Sequence, residues 1–244
     1  MEIFEKPKLE RLDKILSNNG CGTRTEVKKI IKSGCVFVDD DIVKSPDTKV
    51  DVSSKIIVNG KLIKSCEFTY IMMNKPAGVL SATSDNNQQT VLDLIPKQLI
   101  RAGLFPVGRL DKDTTGLLLI TNDGKLAHSL LSPKHHVTKR YYVECDVPFL
   151  NEEIELFSKG IIINNDYLCK SAILEIDDNR NAVLTITEGK FHQIKKMCEA
   201  IGKKVLLLNR IAMGPLLLDN DLSQGEVRLL TTNEIESLEE YKKQ

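Results

Sequence analysis

Gly108-Arg109-Leu110-Asp111-Lys112-Asp113-Thr114-Thr115-Gly116 runs straight into Leu117-Leu118-Leu119-Ile120-Thr121 and closes on Asn122-Asp123-Gly124. A polar loop bounded by glycines therefore feeds an apolar run, and such a run ending in a turn signal reads as a buried strand. The loop holds Asp111 and Asp113 at the mouth of a buried sheet. A carboxylate there is poorly solvated, and its charge depends on the cation beside it. On spacing alone, the plainer account is that the two aspartates shape a turn.

Composition bounds what can surround this loop. A chain of 244 residues with 41% hydrophobic side chains can build one large or two modest domains with a substantial core. No apolar run approaches the roughly 20 residues needed to span a bilayer, and Met1-Glu2-Ile3-Phe4-Glu5-Lys6 lacks a signal-peptide pattern. A cytoplasmic protein with no membrane association is expected. The six cysteines (Cys21, Cys35, Cys66, Cys145, Cys169, Cys198) form no C-x-x-C pair, so they read as reduced, mostly buried thiols. His128, His135, His136 and His192 have no ligand spacing, and no metal is expected.

The net charge is zero, which argues against a simple nucleic-acid binder, but its distribution is uneven. Between Lys6 and Gly34 there are eight cations against three anions, while acidic residues collect in Asn151 to Asp178 and in Asp219 to Glu240. A neutral chain with one basic end can still present a focused positive field to a polyanion.

At that basic end, Leu9, Leu12, Ile15 and Leu16 recur at helical spacing, with Arg11 and Lys14 on other faces. Asn18 to Gly22 breaks this helix. Thr23 and Glu26 then form a capping-box pattern for a second helix reaching about Ser33. This helix buries Val27, Ile30 and Ile31 and leaves Lys28, Lys29 and Lys32 on much of the opposite face, to solvent as any charged helix face would be. Short strands follow at Val36 to Val38 and Lys55 to Val58. Lys61 to Phe68 reads as a linker, with a domain boundary near residue 66.

The remainder reads as strands and helices around the opening loop. A strand at Thr69 to Asn74 ends in Lys75-Pro76-Ala77-Gly78, and Thr90 to Ile95 reads as a short helix. A helix is expected over Lys125 to Leu131 and a strand beginning at Lys139-Arg140-Tyr141-Tyr142-Val143. Adjacent tyrosines in a strand point to opposite faces, so only one of them can face a cleft. Ala182 to Ile186 reads as a strand, and Glu188 to Met197 as the opening of a helix that continues through Ala200.

The run G-R-L-D-K-D-T-T-G-L-L-L-I-T-N-D-G resembles the central motif of the RsuA family of ribosomal-RNA pseudouridine synthases. N-K-P-A-G-V-L-S-A, K-R-Y and E-G-K-F-H-Q-I-K-K-M resemble its other motifs in the expected order, and the ending with Arg210, Gly214, Gly225, Glu226 and Arg228 also matches. R-L-D-K-I-L, the glycine break, the basic helix and G-C-V-F-V-D-D resemble an S4 RNA-binding domain over about Leu9 to Lys61. The acidic triplet Asp39-Asp40-Asp41 departs from the tight Asp-Gly-type turn more typical there.

The resemblance implies an α+β protein: a small N-terminal α/β S4-type domain with its linker (1–66), then a larger, mainly antiparallel sheet with flanking helices (67–244). It implies that Asp111 is the catalytic carboxylate, Tyr141 the active-site aromatic and Lys195 the cation paired with Asp111. Lys195 stands where many relatives carry arginine, which keeps the charge but loses the bidentate fork. Arg109 would fill the gap left by a flipped base. Arg11, Lys14, Arg24, Lys28, Lys29, Lys32, Lys75, Gln193 and Arg210 are the further expected RNA contacts. No small-molecule cofactor is implied. The partner is ribosomal RNA, in a partly assembled subunit or free, and a monomer is expected. The compact length and the M-G-P-L-L-L-D tail look more like the small-subunit (16S) enzyme than the large-subunit (23S) ones. Two other classes compete: a non-catalytic S4-type assembly factor, and a hydrolase using Asp111 and Asp113 as paired carboxylates.

Overall fold

The computed structural model describes residues 9–51, 54–63, 68–164 and 166–242. The boundary near residue 66, Cys66, Lys6 and Lys8 lie outside the described residues. By its contacts the chain divides into two compact units, Met1–Thr69 with Ile95–Leu104, and Tyr70–Leu94 with Phe105–Gln244. The Ile95–Leu104 segment is therefore an excursion from the second block of sequence that packs with the first.

In the first unit, β1 (Leu9–Arg11) leads into α1 (Leu12–Asn18), and α2 (Arg24–Lys32) follows. The helix expected from Leu9 begins three residues later. Leu9 to Arg11 instead pair antiparallel with β4 (Lys49–Asp51), which leaves Leu9 57% exposed. The capping box of α2 is present, with Thr23 Oγ1 accepting from Glu26 N at 3.3 Å and Glu26 Oε2 accepting from Thr23 N at 2.7 Å. Leu12, Ile15 and Leu16 of α1 pack with Val27 and Ile31 of α2.

The four-stranded sheet runs β3 (Asp41–Ile42), β2 (Val36–Val38), β5 (Ile56–Val58), β6 (Lys61–Ile63). Val36 and Ile56 join the core formed with the helices. Both hairpins carry two-residue loops with φ positive at each position, Asp39 (48°) with Asp40 (74°) and Asn59 (49°) with Gly60 (75°). This is the type I′ geometry that matches strand twist. The acidic triplet therefore makes the tight turn without a glycine. Asp39 is secured by accepting from Lys55 N at 2.8 Å.

The second unit is built on a nine-stranded sheet. Its main order is β13 (Ile173–Ile176), β14 (Ala182–Ile186), β10 (Lys139–Cys145), β15 (Val205–Met213), β9 (Thr115–Thr121), β7 (Tyr70–Lys75) and β17 (Val227–Leu229). Short strands β8 (Phe105–Pro106) and β16 (Leu216–Leu217) extend β9 and β15, and β11 (Ile162–Ile163) pairs separately with β12 (Tyr167–Leu168). Around the sheet lie α3 (Gly124–Leu131), α4 (Asn151–Lys159), α5 (Gln193–Ala200) and α6 (Thr232–Glu239). The α+β plan expected from the sequence is the plan observed.

All seven residues of β9 are buried, as its apolar run requires. It pairs antiparallel with β7 but parallel with β15, through Asn209↔Thr115 and Arg210↔Gly116. Gly116 makes that crossing possible. Its φ is +100°, and a Cβ there would stand 2.3 Å from the Arg210 carbonyl oxygen. Asp123 ends the strand by capping α3, accepting from Lys125 N and Leu126 N at 3.1 Å, while its other oxygen accepts from the Tyr70 hydroxyl at 2.8 Å.

Candidate active site

The loop between β8 and β9 is fastened from below by the Lys75 to Ser81 turn. Lys75 is fully buried, and its Nζ donates to three carbonyl oxygens: Pro76 at 2.9 Å, Thr114 at 3.0 Å and Lys112 at 3.2 Å. Gly78 N donates to the Lys112 oxygen at 2.7 Å, and Ser81 Oγ to the Leu110 oxygen at 2.8 Å. Burial pushes the Lys75 ammonium down to about 8, against the opposing pull of Asp113 and Asp111. Lys75 is thus a fastener of the aspartate loop and not an RNA contact, because all its protons are spent inside the protein.

Above this foundation, Arg109, Asp111, Thr114, Tyr141, Phe191 and His192 help line a cavity of about 250 Å³. That is smaller than the roughly 300–1,000 Å³ typical of drug-sized ligands, a volume suited to one small flat group. The two oxygens of Asp111 face different basic side chains. Oδ2 lies 3.4 Å from Lys195 Nζ and Oδ1 lies 3.5 Å from His192 Nε2. Lys195 is also bound by Asp113 Oδ1 at 2.5 Å. That hydrogen bond, ahead of the burial that opposes it, holds the Asp113 carboxyl below the usual carboxylate range.

Asp113 is the closer partner of Lys195, a role its place in the sequence does not suggest. It is 73% exposed, so it behaves as an anchor at the rim and leaves the less exposed Asp111 to the cavity. Thr114 adds a buried hydroxyl that has no hydrogen-bond partner among the described residues.

Tyr141 is buried and lines the cavity, while Tyr142 on the other face accepts a hydrogen bond from Asn181 Nδ2 at 3.0 Å. The alternation holds, with Tyr142 half-exposed. The helix carrying Lys195 starts at Gln193, five residues later than its sequence pattern suggests. His192 takes a left-handed conformation (φ 54°), so Glu188 to His192 form a loop folded over the cavity.

Gln193 lines that cavity, yet its amide is committed. Oε1 accepts from Lys190 N at 2.9 Å and Nε2 donates to Glu188 Oε1 at 2.7 Å. Its work is to hold the loop, which corrects its placement among the RNA contacts. Arg210 is corrected likewise. It points inward from the central strand, 2% exposed, with Nε donating to the Leu117 oxygen at 2.7 Å. Arg109 is exposed at the cavity mouth.

In the first unit, Arg24, Lys28, Lys29 and Lys32 are exposed on α2. Arg11 pairs with Asp13 at 2.8 Å and also with Asp47, and Lys14 pairs with Glu10, so both are half-committed within the protein. Among the described residues, no group of three or more His, Cys, Asp or Glu side chains could hold a metal ion, and no helix is long and apolar enough to cross a membrane.

Known proteins are similar to this chain over most of its length. Residues 69–200 match the RNA pseudouridylate synthase family and residues 10–56 match the S4 domain. The Bacillus subtilis protein named uncharacterized RNA pseudouridine synthase YtzG is 48% identical over 94% of this chain and 98% of its own length. The ribosomal small subunit pseudouridine synthase A of Vibrio cholerae is 42% identical over 93% of this chain and 99% of its own, and that of Escherichia coli K12 is 37% identical over the same shares. A crystal structure of a pseudouridylate synthase superposes with a TM-score of 0.66 at 38% identity, covering 93% of this chain and 99% of that one.

Proposed function

The chain belongs to the RNA pseudouridylate synthase family, with an S4 domain at its N-terminal end, and from that premise we propose that it isomerises a specific uridine of small-subunit ribosomal RNA. In this reaction the bond between ribose C1′ and base N1 breaks, the base turns, and a C1′–C5 bond forms. The proton displaced from C5 is matched by one gained at N1. Nothing is oxidised and nothing leaves.

The observation that carries the reading is the Asp111 carboxylate on a base-sized cavity, with one oxygen facing Lys195 and the other facing His192. Asp111 thus acts as the carboxylate at the reacting ribose, with the Lys195 ammonium facing it. Tyr141 provides the flat surface against which the extruded base rests. Arg109, exposed at the mouth, is placed to fill the space the base leaves in the RNA.

The basic face of α2, with Arg24, Lys28, Lys29 and Lys32, supplies phosphate contacts that position the RNA without reading its sequence. Residues 1–66 serve as the RNA-binding domain and linker and 67–244 as the catalytic domain. The names of the Vibrio and Escherichia relatives favour the small subunit over the large. We place the enzyme in the cytoplasm as a monomer, acting on RNA that is free or in a partly assembled subunit.

The test is pseudouridine mapping on ribosomal RNA from cells lacking the protein, complemented with wild type or Asp111→Asn. Loss of one small-subunit pseudouridine that only the wild type restores is the expected result. Change at a large-subunit site would keep the chemistry and overturn the substrate. Restoration by the Asn variant would overturn the role of Asp111.

A further inference from the structure

Phe191 is 68% exposed although it lines the mouth of the Asp111 cavity. A single exposed aromatic needs no explanation by itself, but this ring is held in place. The His192 imidazole stacks on it with centroids 3.8 Å apart and an interplanar angle of 20°. Lys196 Nζ stands 5.2 Å from the ring centroid. The turn that carries the ring is pinned by Gln193, bonded to both Lys190 N and Glu188. His192 beside it sits in the left-handed backbone region (φ 54°), which few non-glycine residues adopt. The result is a fixed, flat, apolar plate at the rim, with the Lys196 ammonium over it.

We infer that Phe191 is a stacking platform for an unpaired base next to the uridine in the cavity, with Lys196 taking the adjoining phosphate. The inference rests on the reading of the chain as an RNA isomerase and adds a second base position to it. When one nucleotide is drawn out of a stack, its neighbour loses a partner on one face, and an aromatic plate restores it. An exposed lysine contact with a ring is weak and its stem is flexible, so Lys196 can swing to a phosphate and yield the ring face to a base. Stacking accepts any base, so the platform contributes affinity and placement without selecting a sequence.

The chain contains no tryptophan, so Phe191→Trp installs a sole indole reporter at the rim of the full-length protein. Titration with an RNA hairpin spanning the mapped uridine should quench its emission, and an abasic site beside that uridine should abolish the quench. Phe191→Ala and Phe191→Leu should raise KM roughly 5- to 150-fold, the range that base–aromatic stacking spans, with kcat at saturation retained. Phe191→Tyr should restore wild-type KM. Unquenched emission together with unchanged KM in the Ala and Leu variants would overturn the platform. Wild-type turnover on the same hairpin separates the two readings: if wild type makes no pseudouridine the enzyme assignment fails, whereas the platform is judged by the difference between wild type and variant in RNA binding.

Discussion

The two cation-rich regions of this chain use the same side chains in opposite ways. On α2, Arg24, Lys28 and Lys32 repeat every four residues on an exposed stripe that flanks buried Val27 and Ile31. In the sheet unit, Lys75, Arg210 and Lys203 are nearly or fully buried, and each is tied to a carbonyl or a carboxylate. The helix keeps its charge in water, where a polyanion can reach it. The sheet turns its cations into internal fasteners, and Lys195, beside Asp111, stands at the edge between the two conditions. Charge count is therefore a poor guide to RNA contact. What decides is whether neighbouring strands close over the ammonium.

The sharpest way to break this comparison is at the group the fasteners serve. Asp111→Asn keeps the shape of the side chain and removes its charge, so the fold should persist. Turnover on ribosomal RNA should fall by about 10⁴-fold, the scale on which essential catalytic groups act. Product mapping by mass spectrometry measures it, and residual activity within about tenfold of wild type would move the catalytic role elsewhere in the cavity.

Next in size is Lys195→Ala, expected to lower kcat by about 10²–10³-fold, as loss of one preorganised charge partner does. It also changes the pH response. Asp113 is held below the usual carboxylate range chiefly by Lys195, so the stability this pair contributes is full above the ordinary carboxylate pKa and is lost as pH falls through the lowered value. Without Lys195 the Asp113 pKa returns upward, so the stability advantage of wild type over Lys195→Ala should shrink as pH falls through the carboxylate range, which denaturant melts across that range read out. Lys195→Arg should recover much of the rate, because it restores charge and can fork to both aspartates. A kcat unchanged in Lys195→Ala would remove Lys195 from the chemistry.

How much of this was legible depended on whether a feature was local. The Thr23–Glu26 capping box, the Tyr141/Tyr142 alternation and the fully buried β9 follow from spacing within a few residues, and all three are present. Leu9 failed because its fate was set by Lys49 to Asp51, far along the chain, through strand pairing. Lys75 and Arg210 failed for the same reason: nothing beside them in sequence says that the Lys112 to Thr114 carbonyls or Leu117 will enclose them. The link between Lys195 and Asp113 spans 82 positions and appears only when the loop after β8 meets the start of α5.

Lys75→Met tests a fastener directly, with a smaller expected effect on rate. Three carbonyl oxygens lose a donor, which should cost on the order of 3 kcal/mol of stability. Loosening of the aspartate loop should lower kcat about tenfold. The sign of its pH dependence is unusual for a lysine in a bonded site. Burial depresses this ammonium to about 8 from 10.5, so the unfolded chain binds the extra proton between those values. Wild type should gain stability relative to Lys75→Met as pH rises from about 8 toward 10.5. Denaturant melts at the two ends of that window check it, and a gap that narrows with rising pH would contradict the burial argument.

The mildest change probes the exposed half of the comparison. Lys28→Ala and Lys32→Ala remove charges from a solvated helix face, so neither should alter stability by more than about 0.5 kcal/mol. If each meets a phosphate, KM for ribosomal RNA should rise a few-fold with kcat unchanged, and the slope of log affinity against log salt should fall by about 0.7–0.9 for each phosphate no longer neutralised. The double variant should lower the slope further than either single change. The salt slope is the discriminating quantity. A fastener such as Lys75 leaves it untouched, since a buried ammonium releases no counterion when RNA binds, whereas an exposed cation that meets a phosphate must change it. An unchanged slope in the double variant would mean that α2 is a solvated face only and that the RNA is held through the sheet unit.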